Sequence, residues 1–390
     1  MINIDKSYVI ALRREIHQYP ETDFDLPRTV ALVERELTAM GIPFTEKYAK
    51  GSVVGYINPD CADFTIALRA DMDALNMQEE TDVPYRSKTD GKMHACGHDA
   101  HTAMLLGVAK YLKSIEKDLA CRVKLIFQPS EEGVVSGALA MVENGVMDDV
   151  DIIAAQHIEM KFNAGKLGVC KGFSQASSRS FKIEIFGRAA HASSPHSGID
   201  ALATAVRIYT DLQLMVSRQI NPLEPFVCNV GQLHSGKMQN NVPDYAYLIG
   251  TIRAFSTKND TFAHEQLQRI VASACEATGA TYKITAPLKS PSVYNNPYLS
   301  DLVLASIEKI VGKENVAEMP PKLGAEDFAR YLEKKPGVLF RLGVKNESLG
   351  LTFGAHNSKF NLDENVLDLG CKTMVQFVLD NMHGIDKSRL

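Results

Sequence analysis

Eight consecutive residues, His94 to His101, contain three imidazoles and one thiol (HACGHDAH). The whole chain has only 11 histidines and 7 cysteines among 390 residues, so chance rarely produces this concentration. Cys96 and His98 are predicted to lie in a turn before a helix, where sulfur and nitrogen can bind one ion. A mixed thiolate and imidazole set suits zinc or a similar first-row metal. The alternative is a structural cluster of hydrogen-bonded core histidines.

Two adjacent carboxylates, Glu131 and Glu132, follow in the segment QPSEEG at 128–133, where a predicted helix over 130–142 begins. Neighbouring side chains on a helix point about 100° apart, so one carboxylate can bind an ion while the other faces a substrate. That division suits a metal ligand and a general base. Acidic residues also favour a first helical turn through the helix dipole, so the pair alone leaves both interpretations open.

Four further candidates follow predicted strands. Asp71 and Asp73 lie where the strand over 65–70 ends, His157 follows the strand over 151–155, and His356 follows the strand over 338–344. A single histidine is more often structural. In an open α/β sheet, however, ligands collect outside the carboxyl ends of the strands, and this position favours a site.

The first half of the chain predicts alternating elements. Helices are expected over 5–19, 27–40, 100–114 and 130–142, and strands over 51–57, 65–70, 122–127 and 151–155. This alternation is typical of an α/β fold with an open, mostly parallel sheet and helices on both faces.

From about residue 178 the pattern changes. A strand over 180–186, a helix over 199–218, strands over 225–231 and 245–254, a helix over 260–277 and a strand over 281–286 predict the β-α-β-β-α-β order of a ferredoxin-like α+β unit. The α/β pattern then resumes with a helix over 298–311, a strand over 338–344 and a helix over 364–381. We therefore expect a discontinuous catalytic domain, 1–177 with 288–390, and an inserted lid domain, 178–287.

Composition excludes several classes of function. The net charge of −5 comes from 42 basic and 47 acidic residues with no basic block, so a nucleic-acid partner is not expected. Charged residues interrupt the amino-terminal apolar residues before a signal sequence could form, and no stretch reaches the roughly 20 apolar residues of a membrane span. The 7 scattered cysteines do not suggest a disulfide framework. We expect a cytoplasmic protein without a membrane partner.

Several motifs together resemble the M20 family of metallopeptidases and aminoacylases, in its amidohydrolase branch. That branch includes hippurate hydrolases, auxin-conjugate hydrolases and N-acetyldiaminopimelate deacetylases. The matching segments occur in the family's order and span nearly the whole chain: RREIH at 13–17 with Pro20 and Glu21, RADMDAL at 69–75, HACGHDAHT at 94–102, QPSEEG at 128–133, GRAAHAS at 187–193, NNVPD at 240–244, GTIRAF at 250–255, GAEDFA at 324–329 and AHNSKF at 355–360.

The resemblance implies a site with two divalent metal ions per subunit. Its implied ligands are Cys96, His98, Glu132, His157 and His356. Glu131 would be the general base, and Asp71 the acidic residue that supports the metal site. A thiolate ligand leaves zinc, manganese, cobalt and nickel as alternatives. Arg69 stands where the related peptidase branch has a histidine.

The implied activity is hydrolysis of the amide bond of an N-acyl amino acid or dipeptide-like substrate, giving a carboxylic acid and a free amino acid. His191, Asn241 and Arg253 are candidates for binding that small-molecule substrate. Two alternatives stay open: a relative that binds metal or ligand without turnover, and a deacetylase or esterase of another small acylated metabolite. A homo-oligomer is also left open.

Overall fold

The computed structural model describes residues 2–61 and 63–390, without the side chain of Lys289. The chain falls into two compact units, of which the first is discontinuous. It comprises Met1–Gly172, Tyr294–Pro320 and Asp327–Leu390, and the second comprises Phe173–Val293 and Pro321–Glu326. The domain bounds of 1–177 with 288–390 and of 178–287 stay a prediction.

The described part of the chain contains nine α-helices and sixteen strands. The helices are α1 Lys6–His17, α2 Pro27–Ala39, α3 His98–Ser114, α4 Gly137–Glu143, α5 Ala201–Gln219, α6 Thr257–Thr278, α7 Pro297–Val311, α8 Ala329–Leu332 and α9 Leu367–Asn381. The strands are β1 Phe44–Thr45, β2 Val53–Ile57, β3 Thr65–Asp71, β4 Arg122–Gln128, β5 Ile152–Asn163, β6 Leu167–Val169, β7 Gly172–Gln175, β8 Ser178–Phe186, β9 Ala190–His191, β10 Phe226–Ser235, β11 Asn241–Val242, β12 Tyr245–Ala254, β13 Thr281–Thr285, β14 Leu288–Ser290, β15 Val293–Asn295 and β16 Gly337–Lys345.

The first unit is built on a sheet of seven described strands in the order β1-β2-β4-β3-β5-β16-β6. The four central strands, β4, β3, β5 and β16, are parallel, whereas the edge strands pair antiparallel. All of β3 is buried, including its polar residues Arg69 and Asp71, as expected for a strand at the centre of a parallel sheet. Helices α3, α4 and α7 pack against β3, β4 and β16 respectively. The predicted α/β class with an open, mostly parallel sheet is confirmed.

Two predicted elements differ from the structure in ways that matter for the site. The helix expected over 130–142 is wrong in its first half, because 130–136 form a loop and Ser136 caps a helix that begins at Gly137. The strand expected over 151–155 extends to Asn163 because β16 continues to pair with it there. His157 therefore lies inside a strand rather than after one.

The second unit contains the predicted β-α-β-β-α-β order. Its sheet runs β10-β12-β8-β13, every neighbouring pair is antiparallel, and β14 also pairs with β8. Helices α5 and α6 pack on each other and on this sheet, where Phe181, Leu212 and Leu267 are part of a separate apolar core. The ferredoxin-like arrangement is confirmed.

Among the described residues, no helix combines the length and the hydrophobicity that crossing a membrane requires.

Candidate metal centre

Gly97 makes the bend between Cys96 and His98 and is the N-cap of α3. Its φ is 87°, in the left-handed region that residues with a Cβ rarely adopt. A Cβ placed there would lie 2.6 Å from Cγ1 of Ile158. Glycine is therefore required at this position by both backbone conformation and space, and the two flanking side chains can turn toward the same point.

Ligand atoms of Cys96, His98 and His157 lie within 4.8 Å of one another. Cys96 Sγ is 3.6 Å from His157 Nε2, and His157 Nδ1 is 2.6 Å from the carbonyl oxygen of Ile158. Nδ1 of His98 is 2.8 Å from the carbonyl oxygen of Asp73. Each Nδ1–H donates to a carbonyl, so each Nε2 keeps its lone pair for the centre, as metal-binding histidines usually do.

Two overlapping groups extend this cluster. Ligand atoms of Cys96, Glu132 and His356 lie within 4.8 Å of one another, and those of His98, Glu131 and Glu132 do too. Glu132 Oε1 and His356 Nε2 are 3.0 Å apart. The structure thus brings all five predicted ligands and Glu131 together, although they lie far apart in the sequence.

The side chains present fit divalent first-row metals. One thiol, three imidazoles and carboxylate oxygens form a donor set for zinc, manganese, cobalt or nickel. Nε2 of the buried His98 ring has no hydrogen-bond partner among the described residues, although a buried polar nitrogen normally has one. A cation at that position would satisfy it.

Without a metal ion, the surroundings of Cys96 and His98 favour the protonated forms of both side chains, a thiol and a charged imidazole. Burial raises the pKa of the Cys96 thiol, and the nearby Glu132 carboxylate raises it further. Burial lowers the pKa of His98, but Asp71 and Asp73 outweigh it and hold the pKa well above its usual value. A ligand role for Cys96 and His98 requires a thiolate and a neutral imidazole, so metal binding through these two residues would release protons.

Asp71 is fully buried beside the cluster, where burial raises its pKa but Arg69 and His98 lower it more, to well below the usual value. Its Oδ2 accepts from Arg69 Nη1 at 2.6 Å, and its Oδ1 is 2.6 Å from His101 Nδ1. His101 Nε2 accepts the backbone N–H of Ile158 at 3.0 Å. Both nitrogens of His101 therefore have partners within the protein, although its ligand atom also lies within 4.8 Å of those of Asp71 and His98.

The loop carrying Glu131 and Glu132 is held by Asp73, which the sequence marked as a candidate site residue without a specific role. The two oxygens of the Asp73 carboxylate accept the backbone N–H groups of Glu131 and Glu132, each at 3.0 Å. Glu131 is 9% exposed. Burial raises the pKa of Glu132, but His356, His98 and Cys96 together lower it more, so the pKa is lowered. The argument that helical geometry points the two glutamate side chains in different directions was wrong. Both residues lie in a loop, and their orientation depends on the Asp73 carboxylate, which binds their backbone N–H groups.

The predicted substrate-binding residues lie in the second unit. Asn241 on β11 is directly opposite His191 on β9. His191 is exposed and its Nδ1 is 2.7 Å from Ser193 Oγ. Arg253 lies half-buried on β12, where burial lowers its pKa. Their role in binding substrate stays a prediction.

A profile of the family described as Peptidase family M20/M25/M40 matches residues 67–380. The chain belongs to this family. Thermostable carboxypeptidase 1 of Saccharolobus solfataricus is 41% identical over 94% of this chain and 93% of its own. IAA-amino acid hydrolase ILR1-like 4 of Arabidopsis thaliana is 37% identical over 93% of this chain and 83% of its own.

A solved structure is also closely similar. The Bacillus subtilis YxeP protein, described as a dinuclear metal binding peptidase from the M20 family, superposes with a TM-score of 0.83 at 30% identity, covering 97% of this chain and 99% of its own. The predicted M20 family and the predicted class, a metal-dependent hydrolase of linear amides, are confirmed.

Proposed function

We propose that this M20 member cleaves the amide bond of N-acyl amino acids or dipeptide-like substrates at a centre of two divalent metal ions. The observation that carries the proposal is the convergence of Cys96, His98, Glu132, His157 and His356, in overlapping groups whose ligand atoms lie within 4.8 Å of one another. Cys96 belongs to two of these groups, and so does Glu132, which is the arrangement expected where neighbouring ions share a small volume.

In this proposal the five residues hold the ions, and Asp71 supports them through His101 and Arg69. Bound ions of this kind lower the pKa of a water from about 15.7 to about 7 and polarise the scissile carbonyl. The thiolate favours softer metals than magnesium or calcium, and zinc, manganese, cobalt and nickel are all candidates.

Glu131 is the proposed general base. Its carboxylate takes a proton from the attacking water and returns it to the nitrogen of the leaving amine, so the amide C–N bond breaks and the acid and the free amine are released. Two features support this role: the residue is adjacent to the proposed ligand Glu132, and Asp73 clamps both backbone N–H groups.

The substrate side of the proposal rests on His191, Asn241 and Arg253. A guanidinium presents paired N–H groups that match a carboxylate, so Arg253 is the candidate for the free carboxylate of the amino-acid half. The acyl group is left open, as is a homo-oligomeric state. A cytoplasmic location is also part of the proposal.

The experiment is a turnover panel with matched metal loading. Metal-free enzyme is reconstituted separately with zinc, manganese, cobalt and nickel, and assayed on N-acetyl, N-benzoyl and N-indoleacetyl amino acids, their carboxamides, and the corresponding esters. Glu131→Gln is the control for contaminating hydrolases. Turnover of acylated amino acids by wild type alone supports the proposal. Preference for esters or simple acetamides favours the esterase or deacetylase alternative, and metal binding without any turnover favours a binding protein.

A further inference from the structure

The loop between β4 and α4 carries the proposed base without any regular backbone structure of its own. Ser130 has a φ of 52°, an uncommon value for a residue with a Cβ, which persists only where surrounding contacts hold it. The loop closes on itself through a hydrogen bond from Gly137 N to Ser130 O, at 2.9 Å. A Cβ at Gly137 would collide with the carbonyl oxygen of Pro129, so the two ends of the loop meet closely.

One buried carboxylate, that of Asp327, receives donors from both ends of this loop. Its Oδ2 accepts from Ser136 Oγ at 2.6 Å and from Ala138 N at 3.2 Å. Its Oδ1 accepts from Gln128 Nε2 at 2.8 Å and from Arg69 Nη2 at 3.1 Å. Gln128 precedes the loop and Ala138 follows it. Asp327, which is 1% exposed, therefore joins the strand, the loop end and the helix.

Asp327 also contacts the proposed base, because its backbone N–H donates to Glu131 Oε1 at 3.4 Å. The Arg69 guanidinium connects the Asp327 carboxylate to Asp71, which lies beside the candidate metal ligands. Its Nη1 donates to Asp71, its Nη2 to Asp327 and its Nε to Gln128 Oε1 at 2.8 Å. Asp327 is thus one hydrogen-bonded step from Glu131 and two from Asp71.

We propose that Asp327 is a positioning residue that orients Glu131 for proton transfer, acting through the loop that it closes. The inference rests on the proposed function, in which Glu131 is the base. A carboxylate that accepts four hydrogen bonds in a dry interior fixes its donors tightly, because losing any of them leaves a buried polar group unsatisfied. The position of the Glu131 side chain therefore depends on the two loop ends that Asp327 holds.

The test is Asp327→Asn. Each carboxylate oxygen of Asp327 accepts from two of the donors named above, and in the variant an NH₂ group replaces one of these oxygens, so two donors lose their acceptor. Misplacement of a reacting group by about 1 Å can cost about a hundredfold in rate. We expect kcat to fall by about ten- to a hundredfold, with KM and bound metal within about twofold of wild type. Loss of metal instead of kcat overturns the proposal.

Asp260→Asn is the matched control, because Asp260 is another buried carboxylate paired with an arginine, Arg179, at 2.7 Å. It should leave kcat near wild type, so an equal loss in both variants would show only general damage and overturn the proposal. In a Glu131→Gln background, Asp327→Asn should cause no further loss, since residues that act as a unit are not additive. A full additional loss in that background contradicts action through Glu131.

Ser136→Ala is a milder variant that removes no charge. It takes away one hydrogen bond to Asp327 and also the N-cap bond that Ser136 Oγ accepts from the N–H of Leu139. It should lower kcat severalfold without changing KM, and it carries the test if Asp327→Asn does not fold. Wild-type kcat in Ser136→Ala would then overturn the inference. Failure of the proposed function can be told apart from failure of this inference. If Glu131 is not the base, Glu131→Gln retains activity, and this result does not depend on the Asp327 variants.

Discussion

Exchanging each of the two adjacent glutamates for glutamine separates their proposed roles. Glu131→Gln keeps an oxygen for the N–H of Asp327, which lies 3.4 Å from Glu131 Oε1, so the loop geometry survives the change. The variant loses only the ability to accept a proton. General base catalysis contributes about 10²–10⁴-fold, which at 1.36 kcal/mol per tenfold is about 2.7–5.4 kcal/mol of the barrier. We therefore expect kcat to fall by that factor, with both metal ions retained.

Glu132→Gln should behave differently. Its carboxylate lies 3.0 Å from His356 Nε2 and belongs to two of the ligand groups, so the change removes negative charge from the centre itself. We expect this variant to lose metal on dialysis and to regain part of its activity when metal is added in excess.

The assay measures metal per chain by elemental analysis, alongside kcat on a saturating N-acyl amino acid. Both variants are compared with wild type prepared in parallel. Metal loss in Glu131→Gln, or retention of more than about a tenth of wild-type kcat, would refute the assignment of the base. Full metal content in Glu132→Gln would remove it from the ligand set, and the two roles would have to be exchanged.

Three further predictions follow from individual contacts. Cys96→Ser should weaken metal binding and shift preference toward harder ions, because a hydroxyl replaces the thiolate, and unchanged metal content and preference would make Cys96 a packed thiol. Arg253→Ala should lose about ten- to more than hundredfold in kcat/KM on an acylated amino acid, as expected for about 1.5–3 kcal/mol, and much less on its carboxamide; equal losses would exclude a contact with the substrate carboxylate. Burial and Arg13 lower the pKa of His17, but hydrogen bonds to Asp99 and Glu79 raise it more, and the net pKa is raised. The charged form therefore stabilises the fold fully below about pH 6.5, and this stabilisation is lost as pH rises through the folded pKa. In urea unfolding of metal-free protein, His17→Gln should lower the free energy of unfolding most near pH 6. A loss of stability that does not depend on pH would contradict this.

Much of the fold could be predicted because local signals and burial agree. The predicted β3 and β4 end within one residue of the observed strands, since their β-branched and apolar residues are typical of central strands in a parallel sheet. Helix α2 begins at Pro27, as proline at a first helical turn indicates. The extra length of β5 had no such local signal, because its last residues are strand only through pairing with β16.

The ligand types were also visible, since thiol, imidazole and carboxylate residues are concentrated in short motifs. Asp71 was also predicted to support the site, but the contacts of Asp73 and the role of Asp327 were not predicted. Asp73 acts through backbone N–H groups that every residue has, so no side-chain pattern marks the contact. Asp327 is separated from Glu131 by 196 positions, and its partners include backbone atoms of the loop end.

The helix predicted over 130–142 failed for the same reason. Propensity is a weak preference that tertiary contacts override. Here two distant carboxylates accept backbone N–H groups of the loop and of the first turn of α4. Asp73 holds the loop beside the ligands, and Asp327 holds its ends. The separation of roles between Glu131 and Glu132 therefore depends on residues that need not touch metal or substrate. It follows that a change in the segment GAEDFA at 324–329 can alter turnover while every metal ligand stays in place.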